Sequence, residues 1–124
     1  MVNVFIKSGQ YGINEKRIAA MAEKTAGKDK NLSVLFCGDK KMKSLNKQYR
    51  HLDETTDVLS FGKEGNVKEQ GGWLEEESYL GDIVISYPQA KRNANKYGLG
   101  IDEEIDKLVE HGIRHLLGRH HEEE

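Results

Sequence analysis

Hydrophobic residues along the chain occur in two patterns, short apolar runs and helical spacings, and these patterns alternate. The apolar runs, rich in β-branched and aromatic residues, predict strands at residues 2–7, 32–37, 57–61 and 80–86. Apolar residues at helical spacing predict four helices, which begin near residues 14, 39, 88 and 102. Strands mixed with helices in this way predict an α+β fold or an α/β sandwich, with one small mixed four-stranded sheet and about four to five helices packed on it.

Polar residues and glycines mark the ends of these elements. Asn14 is expected to cap the first helix, and Asp39 and Asp102 are expected to cap the second and the last. Gly118 is expected to end the last helix, because glycine is common just beyond a helix C-terminus. The stretch 62–79 is rich in glycine and glutamate and predicts a loop or a mobile hairpin.

Composition indicates one soluble domain. The chain has 124 residues, of which 36% are hydrophobic and 32% charged, enough for a single core. No apolar run approaches the roughly 20 residues that span a bilayer, and residues 1–7 lack the apolar segment of a signal peptide. Cys37 is the single cysteine, which agrees with a cytosolic protein without a disulfide framework. We therefore expect a cytoplasmic protein that does not associate with a membrane.

The net charge of −2 is small, but the charges are unevenly distributed. RNA-binding proteins are often strongly basic, so the overall charge by itself disfavours a nucleic-acid partner. Basic residues nevertheless gather in the second predicted helix, at Lys40, Lys41, Lys43, Lys47 and Arg50. A solvated helix face is the ordinary explanation of such lysines. If they lie beside a phosphate-binding site, they would instead follow a nucleic-acid backbone.

Four of the five histidines fall within the last fourteen residues. His111 and His115 are four residues apart on a predicted helix, so both lie on one face and can reach a common zinc ion at about 2.0–2.1 Å. After the glycine that ends the helix, the chain can turn to bring His120 or His121 to the same point. Three protein ligands with one open position are typical of a catalytic zinc ion. Core or surface histidines, the last ones in a solvated tail, are the alternative explanation of this cluster.

Three segments resemble motifs of the YbeY family of metal-dependent endoribonucleases. Residues 111–121, HGIRHLLGRHH, resemble the family signature HGxLHLxGYDH. Residues 46–61, NKQYRHLDETTDVLSF, resemble its block ending in TDVLSF, and residues 80–86, LGDIVIS, resemble its LGDI-type strand. The chain departs from the family at His120, where members have aspartate. It also ends three residues after His121, whereas members usually continue. We therefore expect residues 1–124 to form one endoribonuclease domain that is shortened at its C-terminus.

The resemblance also implies a site. In a zincin-like arrangement with the metal helix near the C-terminus, one zinc ion would be bound by His111, His115 and His121. Arg50 matches the family's arginine near the metal, and the resemblance implies that it holds a phosphate as a catalytic and substrate-binding residue. Lys47, from the lysine group of the same helix, is expected to contribute to substrate binding.

The function implied by the resemblance is zinc-dependent cleavage of single-stranded RNA. The family processes the 3′ end of small-subunit ribosomal RNA and takes part in ribosome quality control, so ribosomal RNA and the ribosome are the expected partners. One alternative is an RNA- or ribosome-associated factor whose metal site is structural or incomplete. Another is a metallohydrolase of a different substrate, such as a peptide or a small phosphoester. Position 112 is glycine, so the catalytic glutamate of HExxH metallopeptidases is absent, which argues against peptides.

Overall fold

A computed structural model of the chain describes residues 4–62 and 79–118. The elements in chain order are β1 (Val4–Lys7), α1 (Glu15–Ala26), β2 (Asn31–Cys37), α2 (Asp39–Arg50), β3 (Val58–Phe61), β4 (Tyr79–Ser86), α3 (Tyr87–Tyr97) and α4 (Ile101–Leu116). The predicted strands and helices are all found, and the α+β fold is confirmed. Residues 2 and 3 of the first predicted strand, and residues 63–78 of the predicted loop, lie outside the described part.

The strands form one mixed sheet in the order β1–β2–β4–β3. β1, β2 and β4 run parallel, whereas β3 is antiparallel to β4 and lies at one edge of the described sheet. The central strand β2 is buried continuously over residues 32–36, as expected for a parallel strand covered on both faces. In β3 the burial alternates, with Leu59 and Phe61 buried and Val58 and Ser60 only partly covered. The edge strand therefore has one core side and one side that is partly open.

Helices cover both faces of the sheet in two separate hydrophobic clusters. The larger cluster joins one face to α1, α3 and α4, and its members include Ile18, Ile83, Ala90, Val109 and Ile113. The smaller cluster joins the opposite face to α2, and its buried members are Leu35, Met42, Leu45, Leu59, Phe61 and Val84. Neighbouring strand residues point to opposite faces, so consecutive residues of β4 belong to different clusters. α2 and α4 consequently lie on opposite faces. None of the helices in the described residues is both long and apolar enough to cross a membrane.

The helix starts agree with the predictions only in part. Asn14 caps α1 as expected, and its side chain accepts a hydrogen bond of 3.1 Å from a backbone N–H in the first turn. The predicted caps Asp39 and Asp102 are wrong, because Gly38 and Gly100 occupy the capping positions. Both aspartates lie in the first turn instead. An acidic residue is favourable there as well, since a helix N-terminus carries partial positive charge.

Two glycines determine how α4 packs and where it ends. Gly112 is buried against β4, where a Cβ atom would lie 3.0 Å from three side-chain atoms of Ile83. The absence of a side chain therefore lets α4 approach the sheet closely. Gly118 adopts a φ of 77°, a left-handed conformation that favours glycine, and its N–H donates to the carbonyl of His115 at 3.0 Å. Helical geometry thus stops just before Gly118, as the sequence predicts.

Candidate active site

A cleft of about 330 Å³ opens where α4, the edge strand β3 and the end of α2 meet. Its walls are formed by Arg50, Val58, Leu59, Ser60, His111, Gly112 and His115. Three of the predicted site residues, Arg50, His111 and His115, are therefore brought together from helices on opposite faces of the sheet. Lys47 does not line this cleft. It is exposed on α2, about one turn before Arg50, and its role in substrate binding stays a prediction.

The two histidines are held in place by the helix on which they lie. Gly112, next to His111, is pressed against β4, while both histidine side chains are exposed at the cleft. One helical turn separates the two rings, so they project from the same side of α4. The contact between Gly112 and β4 therefore fixes the position of α4 relative to the sheet, and with it the position of both imidazoles.

Ser60 of β3 contacts the second histidine. Its Oγ lies 2.7 Å from Nδ1 of His115, a hydrogen-bond distance. An imidazole held at Nδ1 would bind a metal ion through Nε2, and such an outer contact fixes the orientation of the ring. Ser60 was not among the site residues predicted from the sequence. The alternation in residues 57–61 was the available signal, because it puts residue 60 on the face opposite Leu59 and Phe61.

The described residues supply two of the three predicted zinc ligands. Within residues 4–62 and 79–118, no three histidine, cysteine, aspartate or glutamate side chains lie close enough together to hold a metal ion. The third predicted ligand, His121, and its neighbour His120 lie outside this part of the chain. Two imidazoles one turn apart at an open cleft are a donor set that suits zinc, and they fit the predicted ion as far as the described residues extend.

Arg50 is the last residue of α2, and the helix ends in a tight turn behind it. His51 adopts a left-handed conformation with a φ of 61°, and its N–H donates to the carbonyl of Lys47 at 3.1 Å. Arg50 is exposed and forms no ion pair with any residue that the structure describes. Its planar guanidinium can therefore hold a phosphate through two parallel hydrogen bonds.

The start of α2 is fixed by a carboxylate that bonds to three other elements of the fold. Oδ1 of Asp39 accepts hydrogen bonds from Arg92 at 2.8 Å, Ser86 at 3.0 Å and Thr55 at 3.3 Å. The hydrogen bond from Arg92, followed by those from Ser86 and Thr55, holds the pKa of Asp39 below its ordinary value, although partial burial opposes this. Asp39 therefore ties α2 to α3, to the end of β4 and to the segment before β3.

A second polar contact connects β3 with α4. The side-chain amide of Asn93 in α3 donates to Oδ2 of Asp57 at 3.1 Å, and the same amide lies 3.4 Å from Oε2 of Glu104. Asp57 directly precedes β3, and Glu104 is a buried residue in the first turn of α4. The amide therefore links the strand that carries Ser60 to the helix that carries the histidines.

Comparison with known proteins identifies the family to which the chain is similar. The family model described as Endoribonuclease YbeY matches residues 7–124. The chain is 43% identical over 98 residues to Endoribonuclease YbeY of Pelotomaculum thermopropionicum, in an alignment covering 79% of this chain and 63% of that one. It is 45% identical over 91 residues to Endoribonuclease YbeY of Aquifex aeolicus, covering 73% of this chain and 56% of that one. The chain thus spans about 60% of the length of the curated relatives it matches.

A solved structure shows the same fold. The solution structure of a protein from Thermotoga maritima superimposes with a TM-score of 0.60 and 27% identity, and the match covers 91% of this chain and 71% of that chain. The matched residues of the family model include the three predicted site residues that line the cleft, Arg50, His111 and His115. On the extent of that match, and on the identity to its curated members, this chain belongs to the YbeY family.

Proposed function

We propose that this chain is a zinc-dependent endoribonuclease that cleaves single-stranded RNA in the cytoplasm, with ribosomal RNA near the 3′ end of the small subunit as its substrate. The observation that carries the proposal is the single cleft in which His111, His115 and Arg50 meet. Imidazoles that can hold zinc, beside a guanidinium that can hold a phosphate, are groups that promote hydrolysis of a phosphodiester. Membership of a family whose curated members are named endoribonucleases supports RNA as the substrate.

Each residue has a definite task in this reaction. His111 and His115 would hold the zinc ion, with His121 as the third ligand by resemblance to the family. When bound there, a zinc ion would supply a Lewis acid for a phosphoryl oxygen and a bound water molecule with a pKa of about 7. Arg50 would bind the non-bridging oxygens of the scissile phosphate and stabilise the negative charge that they carry during the in-line displacement. Ser60 would keep the ring of His115 in orientation.

The same cleft fits a peptide substrate less well. Gly112 occupies the position where an HExxH metallopeptidase has the glutamate that acts as general base. The exposed guanidinium of Arg50 favours an anionic substrate instead. Together these two features favour a phosphodiester over a peptide.

The test compares three variants in two measurements, zinc content by elemental analysis and cleavage of a single-stranded RNA that carries the 3′ end of small-subunit ribosomal RNA. We expect about one zinc ion per chain, lost together with cleavage in His115→Ala. Arg50→Ala should keep its zinc and lose about 100-fold in cleavage rate, because only charge stabilisation is removed. His51→Asn is the matched control, since His51 lies outside the cleft lining and asparagine tolerates its left-handed conformation.

Each contrary outcome identifies the part of the proposal that fails. Equal cleavage by His115→Ala and the unaltered protein would overturn the metal-dependent mechanism. Zinc that is bound by the unaltered protein and lost in His115→Ala, with no cleavage of RNA by either, would favour the RNA- or ribosome-associated factor whose metal site is structural. Cleavage of a peptide in preference to RNA would make the chain a metallohydrolase of another class.

A further inference from the structure

Four basic residues of α2 form a line along its exposed side. Lys40, Lys43, Lys47 and Arg50 follow one another at spacings of three, four and three residues, which places them on one side of a helix. We call these four residues the basic stripe. All four are exposed, whereas the buried residues of α2 are Met42, Leu45 and Asn46, on another side of the helix. The basic stripe therefore faces solvent along the whole length of α2.

The basic stripe connects two concave surfaces. At its C-terminal end Arg50 lines the active-site cleft, and at its N-terminal end Lys40 lines a second hollow of about 600 Å³ beside Tyr11. The twelve residues of α2 make the helix about 18 Å long at roughly 1.5 Å per residue. A flexible polyanion that occupies the cleft can therefore follow the basic stripe as far as the hollow.

Carboxylates neutralise little of this charge. Nζ of Lys43 lies 3.9 Å from Oδ1 of Asp53, and both side chains are more than half exposed, so the attraction between them is weak. Lys40 and Lys47 form no ion pair with any residue in the described ranges. The acidic side chain at the start of the helix, Asp39, is engaged by Arg92. The positive potential along the basic stripe is therefore largely available to an anionic partner.

The opposite face of the molecule is different. There Arg17 lies 2.6 Å from Asp106 and 3.3 Å from Asp102, and Arg114 lies 3.2 Å from Glu110. The acidic residues of α4 thus meet basic residues at the same face. The basic residues of α2, by contrast, are neutralised little, so this side of the molecule attracts anions although the net charge of the chain is −2.

We propose that the basic stripe is the track along which single-stranded RNA leaves the active-site cleft. Lys40, Lys43 and Lys47 bind the phosphates of the RNA. They make no sequence-specific contact with its bases. The inference rests on the proposed function, because it takes the scissile phosphate to lie at Arg50. A nucleic acid fits better than an acidic protein for two reasons. The positive charges recur every three or four residues along the helix, as a chain of phosphates needs. The line of charges also ends at Arg50, the residue proposed to hold the scissile phosphate.

The experiment measures how the binding of a short fluorescent single-stranded RNA depends on salt. The triple variant Lys40→Gln, Lys43→Gln and Lys47→Gln is compared with a control triple variant, Lys16→Gln, Lys24→Gln and Lys91→Gln, which removes exposed lysines of α1 and α3. Both are made in a His115→Ala background so that the RNA stays intact. For single strands the slope of log affinity against log salt changes by roughly 0.7 for each phosphate contact, so we expect the first variant to reduce it by about 2.

A charge-preserving variant and a cleavage assay complete the design. Lys40→Arg, Lys43→Arg and Lys47→Arg should restore the slope, because arginine keeps the positive charge. With His115 intact, the glutamine variant of the basic stripe should raise KM and leave kcat unchanged. Equal slopes for the two glutamine variants would overturn the track even if the unaltered protein cleaves RNA. Absence of cleavage by the unaltered protein would overturn the proposed function, and the difference in slope would still report on the basic stripe.

Discussion

α2 and α4 reach the same cleft, but the fold holds them in different ways. α4 has six buried residues, and one of them is a glycine pressed against β4 beside the two histidines. α2 has three buried residues and presents a line of positive charge to solvent. The difference corresponds to two physical requirements. Binding a metal ion needs atoms placed to within a few tenths of an ångström, whereas attracting a flexible polyanion needs only charge at the right density.

The largest effect expected on the α4 side follows from Gly112→Val. A Cβ at this position would lie 3.0 Å from three atoms of Ile83, so the valine forces α4 away from β4. We expect the free energy of unfolding, measured by urea denaturation, to fall by about 3 kcal/mol, as for overpacking in a close-packed core. Zinc binding should weaken as well, because the histidines move with the helix.

The control for this change is Arg114→Val, at an exposed position on the same helix. It introduces the same β-branched residue and should cost only about 1 kcal/mol, through lower helix propensity and loss of the exposed ion pair with Glu110. Equal destabilisation by the two variants would mean that close packing against Ile83 is not what positions α4. The proposed difference between α4, positioned by close packing, and α2, which presents charge to solvent, would then be wrong.

A smaller effect is expected from Ser60→Ala, which removes the contact to Nδ1 of His115. The histidine stays in place, but its ring loses a hydrogen bond that helps to orient it, so zinc affinity should fall by about 10-fold. Competition with a chelator measures this without any assay of activity. Ser44→Ala, at an exposed serine of α2, is the matched control and should leave zinc affinity unaltered. An unchanged affinity in Ser60→Ala would show that Ser60 does not orient the ring for metal binding.

The smallest effect concerns Asp39, which ties α2 to the rest of the fold, and it appears only at acidic pH. The pKa of Asp39 lies below its ordinary value of 3.8, chiefly because of the hydrogen bond from Arg92. The unfolded chain therefore binds a proton at Asp39 at a higher pH than the folded chain does. The stability contributed by Asp39 is present above about pH 4 and is lost as the pH falls through the lowered pKa.

Asp39→Asn should remove this dependence. Urea denaturation at about pH 5 and about pH 3 should give a smaller difference in stability for the variant than for the unaltered protein. Asp53→Asn is the control, because that aspartate is exposed and its nearest amine is 3.9 Å away. The same acid dependence in Asp39→Asn and the unaltered protein would show that Arg92 does not anchor α2.

The fold could be predicted from the sequence because its elements depend on local patterns. The apolar runs of β2 and β4, and the glycine after α4, locate these elements to within a residue or two. The errors at Asp39 and Asp102 have one cause. A carboxylate at a helix start can either cap the helix or lie in its first turn, and both positions are favourable for the same electrostatic reason.

The site could be predicted only in part, because its geometry is not local. Spacing places His111 and His115 on one face of a helix, but it does not say that the end of α2 reaches them from the other side of the sheet. That meeting depends on the strand order, which puts β3 at the edge. Arg50 was identified through the resemblance to a family rather than through any pattern. Ser60 was missed although the alternation of its strand was visible.

Because α2 and α4 pack in separate hydrophobic clusters, the two halves of the cleft can change independently. A substitution at Met42 or Leu45 would shift Arg50 and the lysines of α2 without changing the cluster that packs around the histidine helix. A substitution at Ile83 or Val109 would do the reverse. Natural variation in the smaller cluster can therefore move Arg50 and the lysines together, while the packing that places the histidines stays the same. Because the core is divided in this way, mutations in either cluster can alter one wall of the cleft while the other wall keeps its packing.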